Sequence, residues 1–458
     1  MKYEINLKQL TLKGFKGFKD LITMTFDSQL TVFIGDNGSG KSAILEAIAQ
    51  HLMYLRHEIT GGVIYEFPTP LNPKKLKNYD VNNESEALEN KLLLDLDFPL
   101  YEEDMRSIDS GHVEMIFRAN QDTSTDFENF NVDETLSEEE KKEQREEQDK
   151  RLNMFVFGLK NHRLTQQLNN TPVFVYYGCN SITTDINEEE EELLQLDIFD
   201  TYRQSLEANE FNFKQLTLLL DRQQKISLQN PKNSNGFLTY LEKAISTMLS
   251  DDSTSTYKNL HIEWGARFDE TVIDKIDPNG HVGKLVISQL SSGEKTLLGL
   301  VADLTRRLYL ANRIGNPLEG VGIVLIDEVD LHLHPNWQRK VVLKLMEIFP
   351  NVQFVVTTHS PLVLSNIYSK HIRIIADGKV YGAEETFGQS VNDILEDNMH
   401  TESSEFGDEI KKLFELIDAN DISEAKALKI KLEGRIEGTR PELVKANAFI
   451  QRKELVGK

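Results

Sequence analysis

Gly35-Asp36-Asn37-Gly38-Ser39-Gly40-Lys41-Ser42 decides how the rest of the chain is read. It satisfies G-x-x-x-x-G-K-[ST] without a mismatch. Leu30 to Ile34, just before it, is a short apolar run entering glycine, as a buried strand does. After Lys41 the apolar period becomes helical, with Ile44, Leu45, Ile48, Leu52 and Leu55 on one face. Residues 30–57 therefore predict strand, glycine loop, helix. Gly35, Asn37, Gly38, Ser39 and Gly40 would let backbone N–H groups face a phosphate, and the helix turns its positive end to the same place. Lys41 is expected on the β- and γ-phosphates of ATP and Ser42 on Mg2+. A glycine turn without a ligand is the bland reading of the loop taken alone.

Three further elements follow in order. Val321 to Ile326 is an apolar run ending in Asp327 and Glu328. Asp327 is expected to hold the metal's hydration shell, and Glu328 to polarise an attacking water. A capping pair after a buried strand is the simpler alternative. Leu290-Ser291-Ser292-Gly293-Glu294-Lys295 opens a helix with Leu297, Leu298, Val301, Leu304 and Leu308 on one face, and serine there suits an N-cap. Val355-Val356-Thr357-Thr358-His359-Ser360-Pro361 sets a histidine after another apolar strand. Near-continuous apolar runs of this kind suit parallel strands buried on both faces, so the class is α/β.

The 458 residues suggest two or three units, and 39% hydrophobic residues allow a sizeable core. One cysteine, Cys179, cannot form an internal disulfide and fits a reducing compartment. There is no signal-peptide pattern at the start and no apolar run near the ~20 residues that span a bilayer. A cytoplasmic protein with no membrane contact is expected. The net charge of −23 repels phosphate backbones, so nucleic acid would be met through a local basic groove or through a partner.

Composition divides the chain further. Residues 1–118 hold the glycine loop. Residues 119–151, including the charged run SEEEKKEQREEQDK, lose apolar periodicity and are expected to be a disordered acidic insertion, with a solvated helix as the alternative. Glu188 to Glu192 read as a solvated run rather than a metal site. Residues 152–284 predict a strand and a helical lobe, residues 285–400 the rest of the α/β core, and residues 401–458 a helical tail with a capping box at Asp421 to Glu424.

In this order the four elements resemble the ABC/SMC-type P-loop ATPases. The resemblance implies an ABC-type ATPase head with a mixed sheet, an inserted helical lobe and a C-terminal α-helical tail. It also assigns roles. Ser291, Ser292 and Gly293 look like the signature that binds ATP held by the other protomer. His359 is similar to the switch histidine, and Asp330 to the aspartate that crosses the dimer interface. Lys16, within Lys13-Gly14-Phe15-Lys16-Gly17-Phe18, resembles a loop lysine that contacts nucleotide phosphate, although a solvated basic turn reads equally well. The family's Q-loop glutamine is not evident. Cys179-Asn180-Ser181 stands there, with Asn180 the candidate substitute. His332 and His334 are read as packing at a dimer seam rather than as metal ligands.

DEVDLHLHPNWQ, TTHSP, YYG and GQSVNDILED together resemble bacterial ABC-like ATPases of anti-phage defence, among them those of the Septu system and of retrons. That resemblance implies an ATP-sandwich homodimer, a separate HNH-type nuclease subunit, and nucleic acid met through the complex. The alternatives are a RecF- or SMC-like repair ATPase that clamps DNA itself, a transporter's coupling subunit, and an inactive nucleotide-sensing scaffold.

Overall fold

The computed structural model describes residues 3–60, 85, 87–97, 111–120, 125–128, 137–164, 171–178, 182–183, 199–206, 211–229, 236–250, 255–265, 270–312, 314–384, 386–389, 407–419, 421–435 and 441–456. The readings placed on Cys179-Asn180-Ser181, on Glu188 to Glu192 and on most of GQSVNDILED fall outside these residues. The chain divides into two compact units, Met1–Phe387 and Gly388–Lys458.

The first unit is built on a six-stranded sheet. Its strands run, edge to edge, Lys379–Gly382, Ile372–Ala376, Leu30–Gly35, Val352–Thr357, Gly322–Ile326 and Val173–Tyr177. All neighbours are parallel except the Lys379–Gly382 edge. Every residue of the Val173–Tyr177, Gly322–Ile326 and Val352–Thr357 strands is buried. Side chains covered on both faces explain the unbroken apolar runs in the sequence. The helix Lys41–Thr60 packs beside this sheet, burying Ile44, Leu45, Ile48, Leu52 and Leu55 as their spacing predicts.

A second, antiparallel sheet contains Ile22–Thr25, Glu4–Lys13, Ala87–Asp97, Gly111–Asn120 and Thr125–Glu128 in that order. Its inward residues, including Leu10, Leu12, Leu92, Leu94, Val113 and Met115, share one core with the 41–60 helix. One side chain stitches the two sheets together. Gln353 Nε2 donates to Leu7 O (3.0 Å) and Asp27 O (2.8 Å), and Gln353 Oε1 accepts from Leu7 N (2.7 Å). Leu7 borders a register shift in its strand, so this amide serves backbone groups at an irregularity of the ladder.

Among the described residues of 119–151, the solvated helix is the reading that applies. Thr125–Glu128 is a strand, and Glu138–Leu164 is one continuous helix. Its first half is charged throughout, but Glu, Gln, Lys and Arg are good helix formers. Arg151 pairs with Glu147 and Lys142 with Glu146, one turn apart. Its second half supplies Leu152, Phe155, Val156 and Leu159 to the shared core. That apolar anchor lets the charged turns extend as a solvated helix.

Beyond these sheets lie two helices, Phe213–Gln229 and Phe237–Leu249. A three-stranded antiparallel sheet follows, formed by Thr256–Glu263, Glu270–Ile276 and Val282–Val286. It leads into the helix Ser292–Ala311.

The second unit holds the helices Gly407–Asp418, Ile422–Arg435 and Pro441–Val456. Leu413, Ile417, Ala425, Leu432, Leu443, Ala446 and Ile450 form its core. Asp421 accepts from the Glu424 N–H at 3.3 Å, half of the capping box read in the sequence.

Candidate active site

Strand order brings the sequence elements to one edge. Thr357 is in register with Phe33, and Ile326 with both Val356 and Tyr177. The glycine loop, the Asp327-Glu328 pair and the His359 turn therefore leave the carboxyl ends of adjacent parallel strands. Open α/β sheets bind ligands at that edge.

The glycine loop is tightly packed where glycine is required. Gly40 has φ +105°, and a Cβ there would lie 2.5 Å from the Phe18 ring. At Gly35 a Cβ would lie 2.3 Å from Ile375 O. Beside Gly38 there is open space. Lys41 folds back over the loop, and its Nζ donates to Gly35 O and Asp36 O, each at 2.8 Å. Burial lowers the Lys41 pKa, while the charges of Asp327, Glu328 and Asp36 pull it back up. Ser39 Oγ is out of solvent and has no hydrogen-bond partner among the described residues. Ser42 is exposed on the first turn of the helix, and Asn37 is exposed at the loop tip.

The acidic end is held from the neighbouring strand. Thr357 Oγ1 donates to Asp327 Oδ1 at 2.5 Å, and the Glu328 N–H donates to the same hydroxyl at 2.8 Å. Glu328 has φ +50°, left-handed backbone that a non-glycine residue adopts only when its surroundings impose it. Thr358 donates to Asp330, and the Ser360 N–H donates to Thr358 Oγ1 at 2.9 Å. Ser360 Oγ donates to Gln338 Oε1 at 2.8 Å, and Gln338 Nε2 donates to Leu333 O at 3.0 Å. The Asp330–Leu333 turn and the His359 turn are thus tied together. His359 is half-buried. Burial and then the Lys41 charge lower its pKa, against Glu328, Asp330 and Asp327. Lys41, Asp327, Glu328 and His359 therefore face one another electrostatically.

The other candidates have separate settings. Ser291 caps the Ser292–Ala311 helix, accepting from the Glu294 N–H at 3.3 Å, while Glu294 accepts from the Ser291 N–H at 2.7 Å. Ser291 and Ser292 are exposed and Gly293 is buried. A Cβ on Gly293 would lie 2.8 Å from His332 O, so this helix end sits directly on the Asp330–Leu333 turn. Glu294 also accepts from Lys275 (3.0 Å) and Tyr257. These bonds outweigh burial and hold its pKa to about 2. Lys16 has φ +47° in a tight loop closed by paired backbone bonds between Phe15 and Phe18, and its ammonium meets Glu46 on the 41–60 helix. His332 is exposed, and His334 Nδ1 accepts from the Asn336 N–H at 3.4 Å as a helix cap.

Sequence reading missed the support layer. Thr357, Thr358 and Gln338 were not singled out. Nor was the buried cluster on the 292–311 helix. There Asp303 accepts from Tyr177 Oη (2.9 Å), Arg306 Nη2 (2.7 Å) and Arg307 Nε (2.7 Å). Arg307 Nη1 donates onward to Thr201 O (2.7 Å) and Arg203 O (3.0 Å). The available signal was Asp303 followed at helical spacing by two arginines inside an apolar helix.

This fold and this arrangement define an α/β P-loop ATPase domain. The chain belongs to the family described as "AAA domain, putative AbiEii toxin, Type IV TA system", which matches residues 30–365. Two relatives match over most of their length. The "Retron Vc95 probable ATPase" of Vibrio cholerae serotype O1 biovar El Tor is 32% identical over 408 residues, 81% of this chain and 74% of that one. The "Retron Ec83 probable ATPase" of Escherichia coli is 29% identical over 413 residues, 83% of this chain and 73% of that one. The "Septu protein PtuA" of Bacillus mycoides (strain KBAB4) is 37% identical over 93 residues, 20% of this chain and 13% of that one. Among the described residues no helix is long and apolar enough to cross a membrane.

Proposed function

We propose that this chain is a Mg2+-dependent ATP hydrolase that works as a homodimer in a bacterial anti-phage defence complex. The observation that carries the reading is that Lys41, Asp327, Glu328 and His359 follow the carboxyl ends of three adjacent parallel strands, beside a glycine loop. The loop fits a polyphosphate. Lys41 rests on carbonyls as it would on phosphate oxygens, Ser39 Oγ awaits a partner, and the space beside Gly38 is open. Ser42 and Asp327 are hard oxygen donors suited to Mg2+.

In this reading Lys41 and the loop N–H groups orient the β- and γ-phosphates. When bound, Mg2+ neutralises charge between those phosphates. Glu328 accepts a hydrogen bond from the attacking water, and His359 contacts the γ-phosphate. Lys16 reaches the phosphates after leaving Glu46. Ser291, Ser292 and Gly293, together with Asp330, serve the site of a second copy. Their exposed hydroxyls at a helix N-terminus suit an anion.

The same reading assigns nucleic-acid cleavage to a separate HNH-type nuclease and places the complex in the cytoplasm. The retron and Septu names of the relatives support the defence setting. The DNA-clamping repair ATPase is not favoured, because the relatives matched over most of the chain are retron ATPases.

The test is complementation between inactive variants. Lys41→Ala and Ser292→Arg should each abolish ATP turnover, and mixing them should restore part of it through one intact composite site. Full turnover by a chain that sediments as a monomer, or an active Ser292→Arg, would refute the composite site. Absence of turnover in the unaltered chain, with or without a co-purified partner, would refute the hydrolase.

A further inference from the structure

Thr357 ends the Val352–Thr357 strand and is fully buried. Its hydroxyl makes two bonds at once, donating to Asp327 Oδ1 (2.5 Å) and accepting from the Glu328 N–H (2.8 Å). The two are chemically consistent, since a hydroxyl has one proton to give and lone pairs to receive. The backbone carbonyl of Thr357 also accepts from the Val329 N–H at 3.0 Å. One residue thereby holds three consecutive positions of the adjoining strand end. The middle position is Glu328, whose φ of +50° needs an external hold.

We propose that Thr357 is a positioning residue for hydrolysis. It acts through Asp327, whose carboxylate plane it orients, and through Glu328, whose left-handed turn it fixes. Thr358 serves a different purpose, since its hydroxyl bonds Asp330 and the Ser360 N–H. The proposal rests on the hydrolase reading above. Valine has the shape of threonine without the hydroxyl, so Thr357→Val removes both bonds and keeps the packing. Thr357→Ser keeps the hydroxyl and loses a methyl group.

The experiment compares the unaltered full chain with both variants by three readouts. These are binding of a fluorescent ATP analogue in EDTA, the Mg2+ concentration that half-saturates the added binding, and single-turnover hydrolysis. Second-sphere losses of this kind cost roughly 10- to 100-fold in metal affinity or activity. Thr357→Val should bind the analogue in EDTA as the unaltered chain does. It should need about tenfold more Mg2+ and hydrolyse roughly 10- to 100-fold more slowly, with Thr357→Ser close to the unaltered chain. Unchanged Mg2+ dependence and turnover in Thr357→Val would overturn the proposal. So would equal losses in both variants, loss of binding in EDTA, or failure of Thr357→Val to fold, each of which makes Thr357 merely structural. If the unaltered chain binds the analogue without hydrolysing it, the hydrolase reading fails and with it the role through Glu328, while the Mg2+ titration still decides whether Thr357 orients Asp327.

Discussion

Asp303→Asn probes the charge cluster behind the site, and its cost can be worked from the structure. Asp303 is buried and accepts from Tyr177 Oη, from Arg306 through Nε (3.2 Å) and Nη2, and from Arg307 Nε. Burial pushes its pKa up, but the Arg307 and Arg306 charges and their hydrogen bonds hold it at about 2, against an ordinary value of 3.8. At ~1.4 kcal/mol per pKa unit, that depression is worth about 2 kcal/mol. The folded pKa is the lower one. The stabilisation is therefore complete above about pH 4 and is lost as pH falls through about 2. Asparagine resembles the protonated acid, and it leaves two buried guanidinium groups short of their counter-charge. Breaking a buried pair costs about 3–5 kcal/mol, so the expected loss at neutral pH is about 2–5 kcal/mol. An unfolding entropy of about 2.1 cal/mol/K per residue gives the Met1–Phe387 unit about 0.8 kcal/mol/K. The melting temperature should then fall by about 3–6 °C at pH 7. Calorimetry of the full chain at pH 7 and near pH 2 measures this, and the gap between variant and parent should narrow in acid. A drop below about 1 °C at pH 7 would refute the reasoning, because a carboxylate that neutralises buried arginines cannot be replaced so cheaply.

Three further outcomes are expected. Gly40→Ala drives a Cβ into the Phe18 ring at a left-handed backbone position, so it should cost about 1–3 kcal/mol and weaken ATP binding. Phe18→Leu in the same chain should recover part of the loss, and a Gly40→Ala chain that binds like the parent would contradict the packing. Burial pushes the His51 pKa down to about 4 against local backbone hydrogen bonds. Its neutral form therefore contributes stability above pH 6.5 that is lost as pH falls through about 4, about 3 kcal/mol in all. Urea unfolding at pH 7 and pH 4.5 should show a shallower acid loss for His51→Gln, and identical acid losses would remove His51 as a source. Gln353→Met keeps the volume but leaves Leu7 N, Leu7 O and Asp27 O without the amide, which should cost about 1–3 kcal/mol by chemical denaturation. A neutral result would show that water replaces the amide.

What the sequence disclosed depended on how local the signal was. The Gly35–Ser42 loop, the strand before it and the helix after it lie within thirty residues, so glycine spacing and the change of apolar period suffice to read them. Ile22, Met24 and Phe26 alternate along the sequence and are all buried in the core beneath the antiparallel sheet. Partnerships across long separations left no such mark. Thr357 reaches Asp327 and Thr358 reaches Asp330 from another strand, and threonine is ordinary at a strand end. Gln353 joins Leu7 across 346 positions. The Lys16 loop stands out by its resemblance to a phosphate-contacting loop, but nothing in the sequence points to Glu46 as its counter-ion. Charge left two readings open. The run at 137–150 reads as disordered or as a solvated helix, because its anchor, Leu152 to Leu159, lies just past the stretch that lacks periodicity.

Strand order has a consequence for how the chain is made. The Leu30–Gly35 strand leaves the ribosome well before its sheet neighbours, Val352–Thr357 and Ile372–Ala376. Neither backbone edge can pair until Val352–Thr357 is made, the second stays open until synthesis has passed residue 376, and the Glu4–Lys13 strand waits on Gln353 for its last anchor. At about 5–20 residues per second this is an interval of tens of seconds with an apolar strand unsatisfied on both sides. Transiently exposed strand edges of this kind are what holding chaperones cover in general. A messenger truncated before residue 352 yields a polypeptide that carries the complete glycine loop and neither sheet neighbour of the strand before it.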